Sequence, residues 1–162
     1  MNYPKRKNIR LSNYDYSNNG CYFITVCTQN KEPLFWANDN RFPPRLSESG
    51  KILKQWILKI NEKYPTVLLD KFVIMPNHFH LLLTIDNSID QDNTHSVNAV
   101  MGWLKYQATT EINRIQTTPG KTIFQRSFHD HIIRGEHDYK LRWEYIDTNI
   151  DRWIDDDYFT GS

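Results

Sequence analysis

VLLDKFVIMPNHFHLLLTI, residues 67–85, holds two apolar runs, Val67 to Met75 and Phe79 to Ile85, parted by Pro76-Asn77. Proline followed by asparagine is a turn signal, so the two runs read as strands paired in a hairpin. Upstream, CYFITVCT (residues 21–28) is β-branched and aromatic and follows Asn18-Asn19-Gly20, which predicts another strand. Between them, Ser47 precedes a helical pattern in which Ile52, Leu53, Trp56, Ile57 and Ile60 recur at threes and fours until Pro65.

Downstream of the hairpin, a polar, acidic loop with Asp86, Asp90 and Asp92 leads to a second helix from about Ser96. Its stripe is Val97, Val100, Met101, Leu104, Ala108 and Ile112. Thr117-Thr118-Pro119-Gly120 is a loop, Phe128 to Arg134 alternates as a strand, and a third helix runs from about His137 to Ile150. The order β, α, β, β, α, β, α predicts an α+β fold close to the split βαβ, ferredoxin-like plan. Its sheet would be antiparallel, with the helices packed on one face.

The 162 residues suit one domain, 1–162, with a basic N-terminal arm over about residues 1–12. The formal charge of +1 excludes a polycationic coat for nucleic acid, so any such partner must meet a local basic surface. Aromatic residues make up 14%, enough for a compact core. No apolar run approaches the roughly 18–20 residues of a membrane span. The start, MNYPKRKNIR, is basic but lacks an apolar stretch behind it, unlike a secretory signal. Cys21 and Cys27 match no zinc or redox spacing. They read as reduced residues of a cytoplasmic protein.

His78-Phe79-His80 is the most informative triplet. Residues two apart on a strand share a face. The two imidazoles therefore project together, while Phe79 turns the other way with Leu81 and Leu83. Such a pair chelates a divalent cation or merely satisfies hydrogen bonds at a sheet edge. A nucleotide-hydrolase triad would need a third histidine where Leu82 stands. A structural zinc site would need four N or S ligands. What remains is an incomplete metal site that needs a ligand from elsewhere.

The third helix sorts by its 3.6-residue period. Tyr139, Trp143, Ile146 and Ile150 form the core stripe, and Asp138, Arg142, Tyr145 and Asn149 lie on the opposite side with Leu141. Tyr145 and Asn149, at i and i+4, are surface neighbours. If this face meets the histidines, Asn149 can offer a carbonyl oxygen as third ligand, with Tyr145 beside the metal. A phenol, pKa about 10, is a poor nucleophile unless a cation favours the phenolate. Otherwise the two are an ordinary surface tyrosine and asparagine.

Together these segments resemble the single-tyrosine HUH transposases, and most closely the REP-associated tyrosine transposases. The likeness lies in MPNHFHLLL at 75–83, Trp103-Leu104-Lys105, IFQRSF at 123–128 with HIIR after it, and DYKLRWEYIDTN at 138–149. The resemblance implies Tyr145 as nucleophile and Asn149 in the place of the third, amide-bearing ligand. One departure stands out: the family often has Asn-Pro after the tyrosine, and here Ile150 follows Asn149 and lets the helix continue.

The resemblance further implies cleavage and rejoining of single-stranded, hairpin-containing DNA through a 5′-phosphotyrosine link. Mg²⁺ or Mn²⁺ would sit on His78, His80 and Asn149, and no small-molecule cofactor or membrane is involved. Two other readings stay open: a non-catalytic protein that binds DNA hairpins in repeated palindromes, and a plain metal nuclease independent of Tyr145. The nominated DNA contacts are Lys5, Arg6, Lys7 and Arg10, with Lys105, Gln125, Arg126 and Arg142. The N-terminal four are otherwise a solvated tail. A monomer is expected rather than a homodimer.

Overall fold

The computed structural model describes residues 19–160. Four strands, β1 (Gly20–Cys27), β2 (Val67–Ile74), β3 (His78–Ile85) and β4 (His129–Ile132), form one sheet in the order β2-β3-β1-β4. All three pairings are antiparallel. β3 is thus inserted between β1 and β2, which is the split βαβ arrangement expected. Met75 donates its N–H to the His78 carbonyl at 2.8 Å and closes the hairpin across Pro76-Asn77.

Helix α1 (Glu48–Leu58) starts where the Ser47 hydroxyl accepts from Gly50 N–H, and α3 (Val97–Gln116) starts in the same way from Ser96 to Ala99. Each cap satisfies one of the N–H groups that a helix leaves unpaired. The first helical pattern is broken at Lys59, so a short α2 (Ile60–Lys63) carries it on toward Pro65. The last helix, α4 (Glu136–Thr148), follows Gly135 at φ 98°, a conformation that costs a side-chain-bearing residue more. It stops two residues before the predicted Ile150, although Asn149 keeps helical dihedrals.

The alternation of β1 and β3 explains the layering. Tyr22, Ile24 and Val26, with Phe79, Leu81, Leu83 and Ile85, face α1 and α3 and bury Ile52, Leu53, Ile57, Val100, Met101, Leu104 and Ile112. Each fully buried leucine or isoleucine contributes roughly 1.5–3 kcal/mol. The sequence reading put the helices on one face, and α1 and α3 are there; α4 covers the other face. Cys21, Phe23, Val73 and Leu82 on that face need cover too, and Tyr139, Ile146 and Trp153 provide it. An ion pair from Lys71 of β2 to Asp147 at 2.9 Å, with the Lys71 ammonium 4.4 Å from the Trp143 ring, ties α4 down. Both cysteines are buried and free, as expected.

Candidate active site

His78 and His80 point to the α4 side of the sheet, with ring centroids 4.8 Å apart. They sit on a central strand, not at a sheet edge, so unpaired edge groups do not account for them. Nδ1 of His80 lies 2.8 Å from the hydroxyl of Thr25, its partner across the β1–β3 ladder. Nδ1 of His78 lies 2.8 Å from Asn77 Oδ1. The Asn77 amide nitrogen donates to the Tyr158 carbonyl at 2.7 Å. Its Oδ1 can therefore only accept, and His78 must carry its proton on Nδ1. That leaves the Nε2 lone pair of His78 facing the site, as in metal-binding histidines whose other nitrogen is fixed by a neighbour.

Tyr139 and Tyr145 separate as the helical phasing predicts. Tyr139 is 1% exposed in the core, whereas Tyr145 is 39% exposed. The Tyr145 ring lies edge-on to His80 at 5.2 Å and to Phe23 at 5.8 Å. Phe23 in turn stacks on His80 at 5.0 Å, and the Arg142 guanidinium stands 5.1 Å from the Phe23 ring. Asn149, 3% exposed, is one turn beyond Tyr145 and donates Nδ2 to Asp156 at 2.8 Å.

Three buried polar atoms here, His78 Nε2, His80 Nε2 and Asn149 Oδ1, have no hydrogen-bond partner. Buried polar atoms are nearly always paired, so an orphaned set of this kind calls for an explanation. Two neutral imidazoles and an amide oxygen are a donor set that suits a divalent cation. Among the described residues no three His, Cys, Asp or Glu side chains form a ready-made metal cluster. The third donor of the expected set, Asn149, is of another type.

Burial holds the histidines neutral. The His78 pKa is pushed down to about 4 by loss of solvent, against the opposing pull of Asp156. His80 is driven well below its ordinary value, chiefly by burial and then by the charges of His78 and Arg142. The Tyr145 phenol is raised by burial and by Asp156 and Asp157, while Arg142 and a hydrogen bond from Asn149 pull it down.

The histidines are covered from solvent. His78 is 0% and His80 1% exposed. A 3-10 turn at Trp153–Asp155 brings the following segment over them: Tyr158 lies 4.4 Å from the His78 ring, and Asp156 Oδ2 comes 3.8 Å from His78 Nε2. The bonds from Asn77 to the Tyr158 carbonyl and from Asn149 to Asp156 hold this cover in place. A cavity of about 320 Å³ remains beside it, lined by Tyr145, Thr148, Asn149, Arg152 and Asp155 to Asp157.

The nominated DNA contacts divide. Lys5, Arg6, Lys7 and Arg10 lie outside the described residues. Lys105 spends its ammonium on the carbonyls of Gln125 and Arg126, at 2.8 and 2.9 Å, and so pins the loop after α3. That loop meets the end of β1 through Gln125 N–H to the Cys27 carbonyl, and Arg126 is exposed on it. Arg142 is at the site itself, 3.5 Å from Asp138. Sequence reasoning missed Phe23, Thr25, Asn77, Asp156 and Tyr158. Strand alternation marks Thr25 as the one hydroxyl on the histidine side of β1, a signal that was available. Asp156 gave none beyond an acidic tail.

No protein-family model matches the chain. A Haemophilus influenzae protein of uncharacterised function is 30% identical over 170 residues, covering 95% of this chain and 93% of its own length. A second protein of that organism, provisionally named a REP-associated tyrosine transposase, is 28% identical over 152 residues, covering 86% of this chain and 76% of its own. A solved REP-associated tyrosine transposase bound to a REP hairpin matches with a TM-score of 0.61 at 20% identity, over 94% of this chain and 74% of that one. A Deinococcus radiodurans protein provisionally named a transposase matches with a TM-score of 0.54 at 18% identity, over 88% and 97%. The fold is thus that of transposases. The chain resembles a REP-associated tyrosine transposase in sequence, and its fold is that of the solved one.

Proposed function

We propose that the chain cleaves and rejoins single-stranded DNA next to a hairpin, with Tyr145 as nucleophile. The hairpin comes from the relative whose structure holds one. The observation that carries the reading is the half-exposed Tyr145 ring 5.2 Å from His80, beside three buried polar atoms without hydrogen-bond partners. The Tyr145 oxygen attacks the scissile phosphorus and gives up its proton. The bond to the 3′ oxygen breaks, that oxygen takes up a proton, and the 5′ phosphate stays on the tyrosine. The link keeps the phosphodiester's energy, so a second 3′-OH can reverse the step.

Within the chain, Arg142 favours the phenolate by its charge, and Asn149 donates a hydrogen bond to it. Thr25 and Asn77 fix the rings of His80 and His78. His78, His80 and Asn149 would hold Mg²⁺ or Mn²⁺, which when bound offsets charge on a non-bridging phosphate oxygen. The test is a denaturation-resistant adduct between the protein and a hairpin oligonucleotide with single-stranded flanks, in Mn²⁺. It forms with the native chain and not with Tyr145→Phe. Cleavage that survives Tyr145→Phe would instead mark a plain metal nuclease.

The second reading, hairpin binding without chemistry, draws on one observation: Tyr158 and Asp156 close over the histidines. Tight hairpin binding with no adduct under any metal would favour it.

A further inference from the structure

Asp156 belongs to no motif, yet its side chain is 1% exposed. Its Oδ1 accepts the Tyr158 N–H at 2.8 Å, and its Oδ2 accepts from Asn149 Nδ2 at 2.8 Å. Oδ2 also stands 3.8 Å from Nε2 of His78. With the His78 proton fixed on Nδ1 by Asn77, the carboxylate and the imidazole lone pair face one another as two acceptors with no hydrogen between them. Two buried acceptors repel unless a positive charge lies near both. His80 Nε2 and Asn149 Oδ1 are likewise buried without a donor. The bond from Asn149 Nδ2 to Asp156 sets which end of that amide is left over, so the carboxylate orients the oxygen.

Resting on the metal-dependent reading above, we infer that Asp156 is the specificity-determining carboxylate of the cation site. It supplies the negative charge that makes two imidazoles and an amide prefer a hard ion such as Mg²⁺ or Mn²⁺ to zinc, and it positions Asn149. Imidazole by itself suits the later transition metals, whereas carboxylate and carbonyl oxygens suit Mg²⁺ and Mn²⁺. One carboxylate and one phosphodiester together balance a divalent ion, so the bound substrate would leave the centre neutral.

The test measures Mn²⁺ binding by electron paramagnetic resonance and Zn²⁺ binding by calorimetry, on the full chain without DNA. Asp156→Asn keeps an acceptor for Asn149 but removes the charge. Mn²⁺ affinity should fall about 10–100-fold, while Zn²⁺ affinity falls much less, so the ratio moves toward zinc. A loss of fit alone would weaken both metals together, and that result, or no change in either, overturns the inference. Asp156→Glu retains the charge and should retain the native preference; a zinc-shifted ratio there overturns it as well. A native chain that binds neither ion overturns this inference together with the metal part of the proposed function. Adduct formation that survives Tyr145→Phe would sink only the nucleophile.

Discussion

The hydroxyl of Thr25 and Nδ1 of His80 lie 2.8 Å apart across the β1–β3 ladder, both buried. This pair fixes the ring that Tyr145 approaches. Thr25→Val keeps the shape and removes the oxygen. It should cost about 1–3 kcal/mol in stability by leaving Nδ1 unpaired, and about 10–100-fold in Mn²⁺ affinity or adduct yield. Thermal melts and metal titrations on the one variant check both effects. Native metal affinity would remove Thr25 from the site.

Acid should destabilise the fold through the same histidines. His78 titrates at about 4 when folded and near 6.5 when unfolded, so between these values the unfolded chain binds more protons. Stability is fully present above about pH 6.5 and is lost as pH falls toward 4. His78 alone would account for about 3 kcal/mol, with His80 acting in the same direction. Urea melts across this range should show the slope, and His78→Gln should flatten it. Equal slopes in both proteins would contradict the assignment.

Tyr145 is held protonated at neutral pH by burial and by Asp156 and Asp157. Adduct formation should therefore speed up with rising pH across the neutral range. Arg142→Gln removes a charge that lowers this pKa, so the profile should move to higher pH, with about a tenfold slower rate at pH 7 for each unit moved. Single-turnover rates at several pH values check it. An unshifted profile with a uniformly lower rate would place Arg142 on the DNA instead.

Two glycines give opposite signs. A Cβ on Gly50 would lie 2.2 Å from the Phe35 carbonyl oxygen, a backbone atom that accepts from Ser47 N–H and cannot yield cheaply. Gly50→Ala should destabilise by about 3 kcal/mol. Gly102, inside α3, has no atom within 4 Å of such a Cβ. Gly102→Ala should stabilise by about 1 kcal/mol through helix propensity. Chemical denaturation of both variants is the check, and a loss at Gly102 would contradict the open space.

The sequence by itself determined the elements and their pairing. Strand alternation separated His78 and His80 from Phe79 and Leu81, because neighbouring side chains on a strand must point to opposite faces. The 3.6-residue period put Tyr139 in the core and Tyr145 off it for the same kind of local reason. Those periodicities are properties of the backbone and need no knowledge of what lies across the gap. Only the tertiary structure decided that α4 covers the histidine face alone and that the segment after Asn149 folds back over the site. Thr25 reaches His80 from 55 residues away, and Asp156 reaches His78 from 78 residues away. Contacts at such separations depend on how whole layers dock, and the spacing of residues along one element carries no record of them. In the sequence Asp156 is one of three consecutive aspartates, Asp155 to Asp157; its burial beside His78 follows from the docking of Trp153 and Tyr158 onto the second core.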